Sequence, residues 1–272
     1  MIPILFDFGP ISLHSYGLGM AVAFAVAIWV AVQRAKARGL GGTFALDLSV
    51  LILIFSLIGA RATYVITHWD EFREYPLDIV SPVQHTGQIG ISGLVLLGGV
   101  AAAFLTVYVF ARRKRKPFLS ITDLLIPSTA LGIAIGRLGC FLNGCCFGVP
   151  TGLPWGIHFP PDSLAGTVFP RACVHPTQLY EAGYALLIFV GLMIYDRRPR
   201  PVGRVTGLFL LGYGVGRYLN EQLRWYEHQM ILWNTDAFRL TFSQVLSLIM
   251  IVCGVALVLW RWKSAPQGKA AK

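Results

Sequence analysis

Five ionisable residues stand in stretches of chain where charge is expensive. Arg61, Arg137, Glu181, Arg217 and Glu221 all lie within apolar runs long enough to cross a bilayer. A central membrane arginine costs about 2.5–3.5 kcal/mol on insertion scales, so such residues default to a functional reading. Arg217, Glu221 and Arg224 are spaced four and seven apart, which stacks all three on one helical face. Glu221 can then hold one guanidinium in place while both arginines point at a shared anion. Arginine suits that task because its planar fork takes phosphate bidentately and stays charged in a dry setting. A cationic cluster at membrane depth predicts a phospholipid headgroup as its ligand.

The elements that must position these residues are membrane helices. Of the 272 residues, 55% are hydrophobic and only 13% charged, where soluble domains carry about 25% charged residues. The mean hydropathy is +0.62. A span needs about 20 mostly apolar residues, and seven stretches qualify, at 14–33, 49–68, 91–111, 121–143, 177–195, 203–223 and 240–260. The expected fold is an all-α integral membrane protein with seven transmembrane helices, forming a single domain over residues 1–272. The N-terminal sequence lacks a basic leader and a small-residue cleavage site, so the first span is expected to act as its own insertion signal.

Most of the 23 lysines and arginines fall in segments 34–48, 112–120, 196–204 and 261–272. The positive-inside rule makes those segments cytoplasmic, with the N-terminus outside and the C-terminus inside. The net charge of +10 then reads as a topology signal and an attraction to anionic membrane lipids; a nucleic-acid partner is not expected. On this orientation Arg61, Arg137 and Arg217 each lie in the outer half of an outward-running span. Glu181, early in an inward-running span, shares that level, and His14 and Tyr16 open the first span beside it. Five elements thus bring polar groups to one depth. Glycines punctuate the third and fourth spans, Gly98 and Gly99 in one and Gly132, Gly136, Gly139 and Gly144 in the other. Small residues let membrane helices pack closely, and amides freed at a glycine-rich break can also cradle a phosphate.

The pattern resembles the prolipoprotein diacylglyceryl transferase family nearly end to end. The matching stretches are SLHSYGL at 12–18, IGARATYV at 58–65, SGLVLLGG at 92–99 and PSTALGIAIGRLGCFLNGCCFG at 127–148, then HPTQLYE at 175–181, YGVGRYLNEQLR at 213–224 and SQVLSL at 243–248. The resemblance implies a bacterial plasma-membrane enzyme whose seven helices enclose a cavity open to the outer leaflet. Phosphatidylglycerol would be the donor. Its diacylglyceryl group would pass to the lipobox cysteine sulfur of a lipoprotein precursor, with release of glycerol phosphate. Arg137 and Arg217 match the arginines that hold the phosphate, and Glu221, Arg224, Tyr16, Asn143, Gly144 and Gly148 also match. Arg137, Arg217, Glu221 and Tyr16 are taken as catalytic. Arg61, Arg224, Asn143, Gly98, Gly99, Gly144, Gly148, His14 and Glu181 are taken as substrate-binding.

The chain departs from the family pattern at three positions. Leu97 stands where relatives keep a histidine before the double glycine, Cys140 replaces an asparagine and Cys145 a glutamate. Leucine cannot accept a proton, which leaves His14, His175, Tyr16 and Glu221 as alternative bases. The same departures motivate two rival readings, a relative that serves another acceptor and a non-enzymatic lipid-binding or transport protein.

Five cysteines are an odd number, which excludes a fully paired framework. On the external side a disulfide from Cys173 to Cys140, Cys145 or Cys146 is the expectation. It would tether the loop 144–176 near the cavity mouth. A zinc set of Cys145, Cys146, Cys173 and His175 lacks the usual spacer between cysteines, so neither a metal nor a cofactor is expected. Asp123 opens the fourth span, where a helix N-terminus favours a carboxylate.

Overall fold

The computed structural model describes residues 4–7, 12–79, 81, 93–226, 231–234 and 239–260. Six helices are long and apolar enough to cross a membrane: α1 (Ser15–Ala37), α2 (Gly42–Thr67), α4 (Leu96–Arg113), α5 (Phe118–Asn143), α7 (Thr177–Tyr195) and α9 (Phe242–Trp260). Another long helix, α8 (Arg204–Gln222), forms where the sixth span was expected. It carries Arg204, Arg217 and Glu221 in 19 residues and is too polar to join those six. Short helices α3 (Trp69–Glu74) and α6 (Leu164–Val168) lie in the connections, with a 3₁₀ turn at Pro76–Ile79. Two antiparallel hairpins pair β1 (Ile4–Asp7) with β2 (Ser12–His14) and β3 (Ile231–Asn234) with β4 (Arg239–Thr241).

Two helix starts differ from expectation. The α2 helix begins at Gly42 and draws in the segment read as a connection. The α4 helix begins only at Leu96, because Gly93 has a left-handed backbone (φ 79°) that a right-handed helix cannot absorb.

The chain divides into two compact units. One consists of Phe8–Ile11 and Val32–Ile121. Within it α2 and α4 cross on small residues, Gly59 and Thr63 facing Gly98 and Ala102. A methyl group at Gly98 would come 2.5 Å from the Gly59 carbonyl oxygen, and one at Gly99 would come 3.1 Å from that of Ser56. Such contact between backbones is the usual glue of membrane helices, where lipid supplies no hydrophobic drive.

The other unit comprises Met1–Asp7, Ser12–Ala31 and Thr122–Lys272. Its α1 and α5 helices also meet on glycines, since a methyl at Gly19 would lie 2.8 Å from Gly139 Cα. Ala130, Leu192, Val205 and Phe209 form a buried core that joins α5, α7 and α8. Asp123 fixes the start of α8. Its carboxylate accepts from the Gly203 amide at 2.6 Å, the Thr206 amide at 2.8 Å and the Thr206 hydroxyl at 2.7 Å. The carboxylate therefore caps a neighbouring helix. Asp123→Ala strips those buried donors of their acceptor and is expected to cost about 3 kcal/mol, read as a lower melting temperature in detergent.

At the far end of these helices, the segment after α5 folds back on the chain beyond α8. Phe147, Phe159, Ala165 and Val174 make a small core, with Phe147 stacked on Trp225 at 5.3 Å. The Gly148 amide donates to the His175 carbonyl at 2.9 Å, and the Val149 amide to that of Leu223 at 2.9 Å. A side chain at Gly148 would collide with both neighbours, its Cβ 2.5 Å from the Leu223 carbonyl oxygen and 2.6 Å from His175 Cβ.

Candidate functional site

Glu181 is the hinge of the site. It sits on the first turns of α7, fully buried, and faces α5 and α8. Its Oε1 meets Arg137 Nη2 at 3.0 Å and accepts from the Tyr213 hydroxyl at 2.6 Å. Its Oε2 meets Arg217 Nη1 at 3.1 Å and accepts from Asn220 Nδ2 at 3.4 Å. One carboxylate therefore joins two arginines from two other helices.

Arg217 continues the network outward. Its Nη2 pairs with Glu221 Oε2 at 3.0 Å, one helical turn on. The same nitrogen donates to the Ser243 hydroxyl at 3.2 Å and to the Tyr226 hydroxyl at 3.3 Å. Glu221 is completely buried and accepts from the Thr241 hydroxyl at 2.8 Å. Thr241 in turn begins α9 as half of a capping box. Its amide donates to Gln244 Oε1 at 2.7 Å, and the Gln244 amide returns a bond to Thr241 Oγ1 at 3.3 Å. The first turn of α9 is thus tied to the carboxylate that holds Arg217.

The arginines differ in access. The Arg137 side chain is 20% exposed and Arg217 12%, while the carboxylates between them are shut away. Arg137 is the more open of the two and Arg217 the more enclosed. Arg224 lies just past the end of α8, bridged to Gly148, and leaves the helical face predicted for it. Its guanidinium covers the Tyr226 ring at 4.8 Å, which brings it to the same cluster. Burial pushes the Tyr226 hydroxyl above its ordinary range while Arg224 and Arg217 pull it down, so it stays a neutral hydroxyl near pH 7. Tyr16 on the first turn of α1 is within electrostatic reach of Arg137.

Arg61 belongs to the unit that holds α2 and α4, and its guanidinium donates to main-chain carbonyls of Ile79 at 3.1 Å, Gly93 at 3.4 Å and Asp78. It also sits over the Phe72 ring at 4.9 Å. These contacts make Arg61 a latch for the segment after α2. Gly98 and Gly99 serve the α2–α4 crossing, and the Gly99 amide is used inside the first turn of α4. Gly144 has a left-handed backbone (φ 71°) with Ser163 against its Cα. Asn143 ends α5 and donates toward the Cys145 sulfur. His14 closes β2, and its side chain lies outside the described residues. His175 is buried and shares a hydrogen bond with the Tyr180 hydroxyl at 3.2 Å. Leu97 is half exposed on α4.

The expected tether from Cys173 is not formed, since all five cysteines are free thiols. The register explains this. The Thr151 amide pairs with Cys173, while Thr177 takes the Cys146 carbonyl, so Cys173 lies opposite a point five residues beyond Cys146. Cys145 and Cys146 gather with Cys140 instead.

Tyr213, Asn220, Tyr226, Ser243 and Thr241 were not among the expected site residues. Tyr213 and Asn220 were within reach of the pattern, because 213, 217, 220 and 221 share one face of α8. Tyr226 and Thr241 lie outside the long helices, and Ser243 comes from the first turn of α9, whose apolar pattern does not single it out.

These features define a multi-pass helical membrane protein with a buried arginine–carboxylate site on α5, α7 and α8. A family model described as prolipoprotein diacylglyceryl transferase matches residues 3–260. The chain belongs to the prolipoprotein diacylglyceryl transferase family. It is 34% identical over 286 residues to a phosphatidylglycerol–prolipoprotein diacylglyceryl transferase of Serratia proteamaculans, covering 97% of this chain and 94% of that one. The proteins of that name from Photobacterium profundum and Cupriavidus metallidurans are 34% and 33% identical, with 97% and 99% of this chain covered and 95% and 96% of theirs.

Proposed function

We propose that this protein transfers the diacylglyceryl group of phosphatidylglycerol to the lipobox cysteine of a lipoprotein precursor. The observation that carries the reading is the Arg137–Glu181–Arg217 bridge, buried on three helices of a membrane protein. Arg137, Arg217 and Arg224 bring three positive charges against the two negative charges of Glu181 and Glu221. The surplus of one matches a phosphodiester headgroup. As the acceptor sulfur bonds to the glyceryl carbon, the carbon–oxygen bond to phosphate breaks and its electron pair leaves with glycerol phosphate. Negative charge then grows on the departing phosphate, where preorganised guanidiniums in a dry site stabilise it most. The same positive field favours ionisation of the incoming thiol, whose ordinary pKa is about 8.5. That effect matters here because Leu97 cannot take its proton.

In this reading α8 is the sixth of seven spans, held in lipid by pairing Arg217 with Glu181 of α7 and with its own Glu221. The N-terminus is outside, the C-terminus is cytoplasmic and the membrane is the bacterial plasma membrane. Arg137 contacts the phosphate directly, Arg217 and Arg224 complete the clamp, and Tyr16 borders it.

The test is reconstitution. Purified protein in phosphatidylglycerol liposomes with a lipobox precursor peptide is expected to yield a peptide heavier by one diacylglyceryl group. Glycerol phosphate should appear in equal amount. Glycerol phosphate without a peptide adduct would point to another acceptor, and neither product would overturn the reading.

A further inference from the structure

Three thiols gather at the end of α5, and the lipid chemistry proposed above assigns them no step. Cys140 lies on the last turn of the helix, Cys145 and Cys146 just beyond it, and the three sulfurs all fall within 4.8 Å of one another. The sequence pattern hid this group, because adjacent cysteines alone lack metal-ligand spacing and the helix end supplies the third.

The chain is bent to make it. Gly144 and Cys146 both have left-handed backbones, φ 71° and 62°. The second is a non-glycine residue in a region that L side chains disfavour. Neighbours hold the bend: the Cys145 amide donates to the Cys140 carbonyl at 3.2 Å. Gln178 Nε2 donates to the Cys145 carbonyl at 2.7 Å, and the Thr177 hydroxyl to that of Cys146 at 2.8 Å. Gln178 and Thr177 are themselves buried at the start of α7. The sulfurs are therefore placed by fixed main chain. Cys140 forms a buried wall, and the partly exposed Cys145 and Cys146 leave a way in.

The chemistry of the set narrows its ligand. Among the described residues no histidine, carboxylate or fourth cysteine joins the three. Structural zinc takes four ligands, whereas thiolates alone select soft ions such as Cu(I). Three thiolates around a monovalent ion leave two negative charges, and Arg224 and Arg137 both act on Cys146.

We propose that Cys140, Cys145 and Cys146 form a three-sulfur site for a soft monovalent metal ion of the Cu(I) class. Binding releases one proton from each thiol and changes no oxidation state. Arg137 and Arg224 neighbour both this site and the lipid site proposed above, but copper uptake is read without phospholipid or acceptor, so it can fail while the lipid chemistry stands.

The test is an anaerobic Cu(I) titration of the reduced full-length protein in detergent, against a chromophoric Cu(I) chelator. One copper per chain should resist the chelator, with X-ray absorption reporting three sulfur ligands. Cys140→Ser, Cys145→Ser and Cys146→Ser should each surrender it, and a Cys173→Ser/Cys253→Ser double variant should keep it. Helical circular dichroism checks that each variant is folded, and any that is not is replaced by the corresponding Cys→Ala. Loss of copper to the chelator by the wild type would overturn the proposal. Retention by folded Cys146→Ser, or preferential uptake of zinc with a fourth ligand, would do the same.

Discussion

Arg137→Ala is expected to lower diacylglyceryl transfer at least about a hundredfold, the loss seen when one preorganised donor is removed from a site of developing charge. The fold should survive, because Glu181 keeps Arg217, Tyr213 and Asn220 as partners. The effect should fall mainly on kcat, since phosphate carries more charge as it leaves than when it binds. Arg137→Lys should not restore the rate. An ammonium is a point charge, and cannot hold Glu181 with one nitrogen while presenting a fork to two phosphate oxygens. Liposome assays of kcat and KM on the two variants, with melting curves beside them, check this. An alanine variant within tenfold of wild type would remove Arg137 from the clamp.

Glu181→Ala should act on stability and activity together. Two guanidiniums would lose their common counter-charge in a buried setting, and breaking such a pair costs about 3–5 kcal/mol. The protein should melt well below wild type in detergent and show no transfer. Glu221→Gln is the informative comparison. Glu221 pairs with Arg217 on its own helix, Arg217 would keep Glu181 as a counter-charge, and glutamine can still accept from the Thr241 hydroxyl, so the loss should be smaller. Equal melting temperatures for Glu181→Ala and wild type would refute the bridging role.

The sequence made part of this site legible and hid its centre. The Arg217–Glu221 pair follows from helical spacing alone, and the structure contains it. The Glu181 bridge depends on how α7 turns against α5 and α8, and periodicity within one helix carries no such information. Arg61 was legible as a charge within an apolar run, but its partners, main-chain carbonyls in the unit of α2 and α4, were not. The cysteine cluster was hidden for a local reason. A left-handed residue at Cys146 accompanies the return of its sulfur toward the end of α5, and only Gly144, two residues earlier, announces a turn of that kind in sequence. The six apolar helices were readable from hydropathy. The polar α8 was readable as a helix too, but its place in the membrane rests on carboxylates supplied from within and from α7.

The carboxylate of Asp123 and the guanidinium of Arg137 are fourteen residues apart on α5, about 21 Å at the ordinary helical rise. On α8 their counterparts, Thr206 and Arg217, are eleven residues apart, about 16 Å. Two helices fastened at both ends form a closed frame in which each side must keep its own length. One residue inserted into either side would rotate everything beyond it by about 100° and swing an arginine away from Glu181. Substitutions between the fastenings can be absorbed by repacking, but changes of length cannot. Along this part of the chain, insertions and deletions should therefore be tolerated only as compensated pairs.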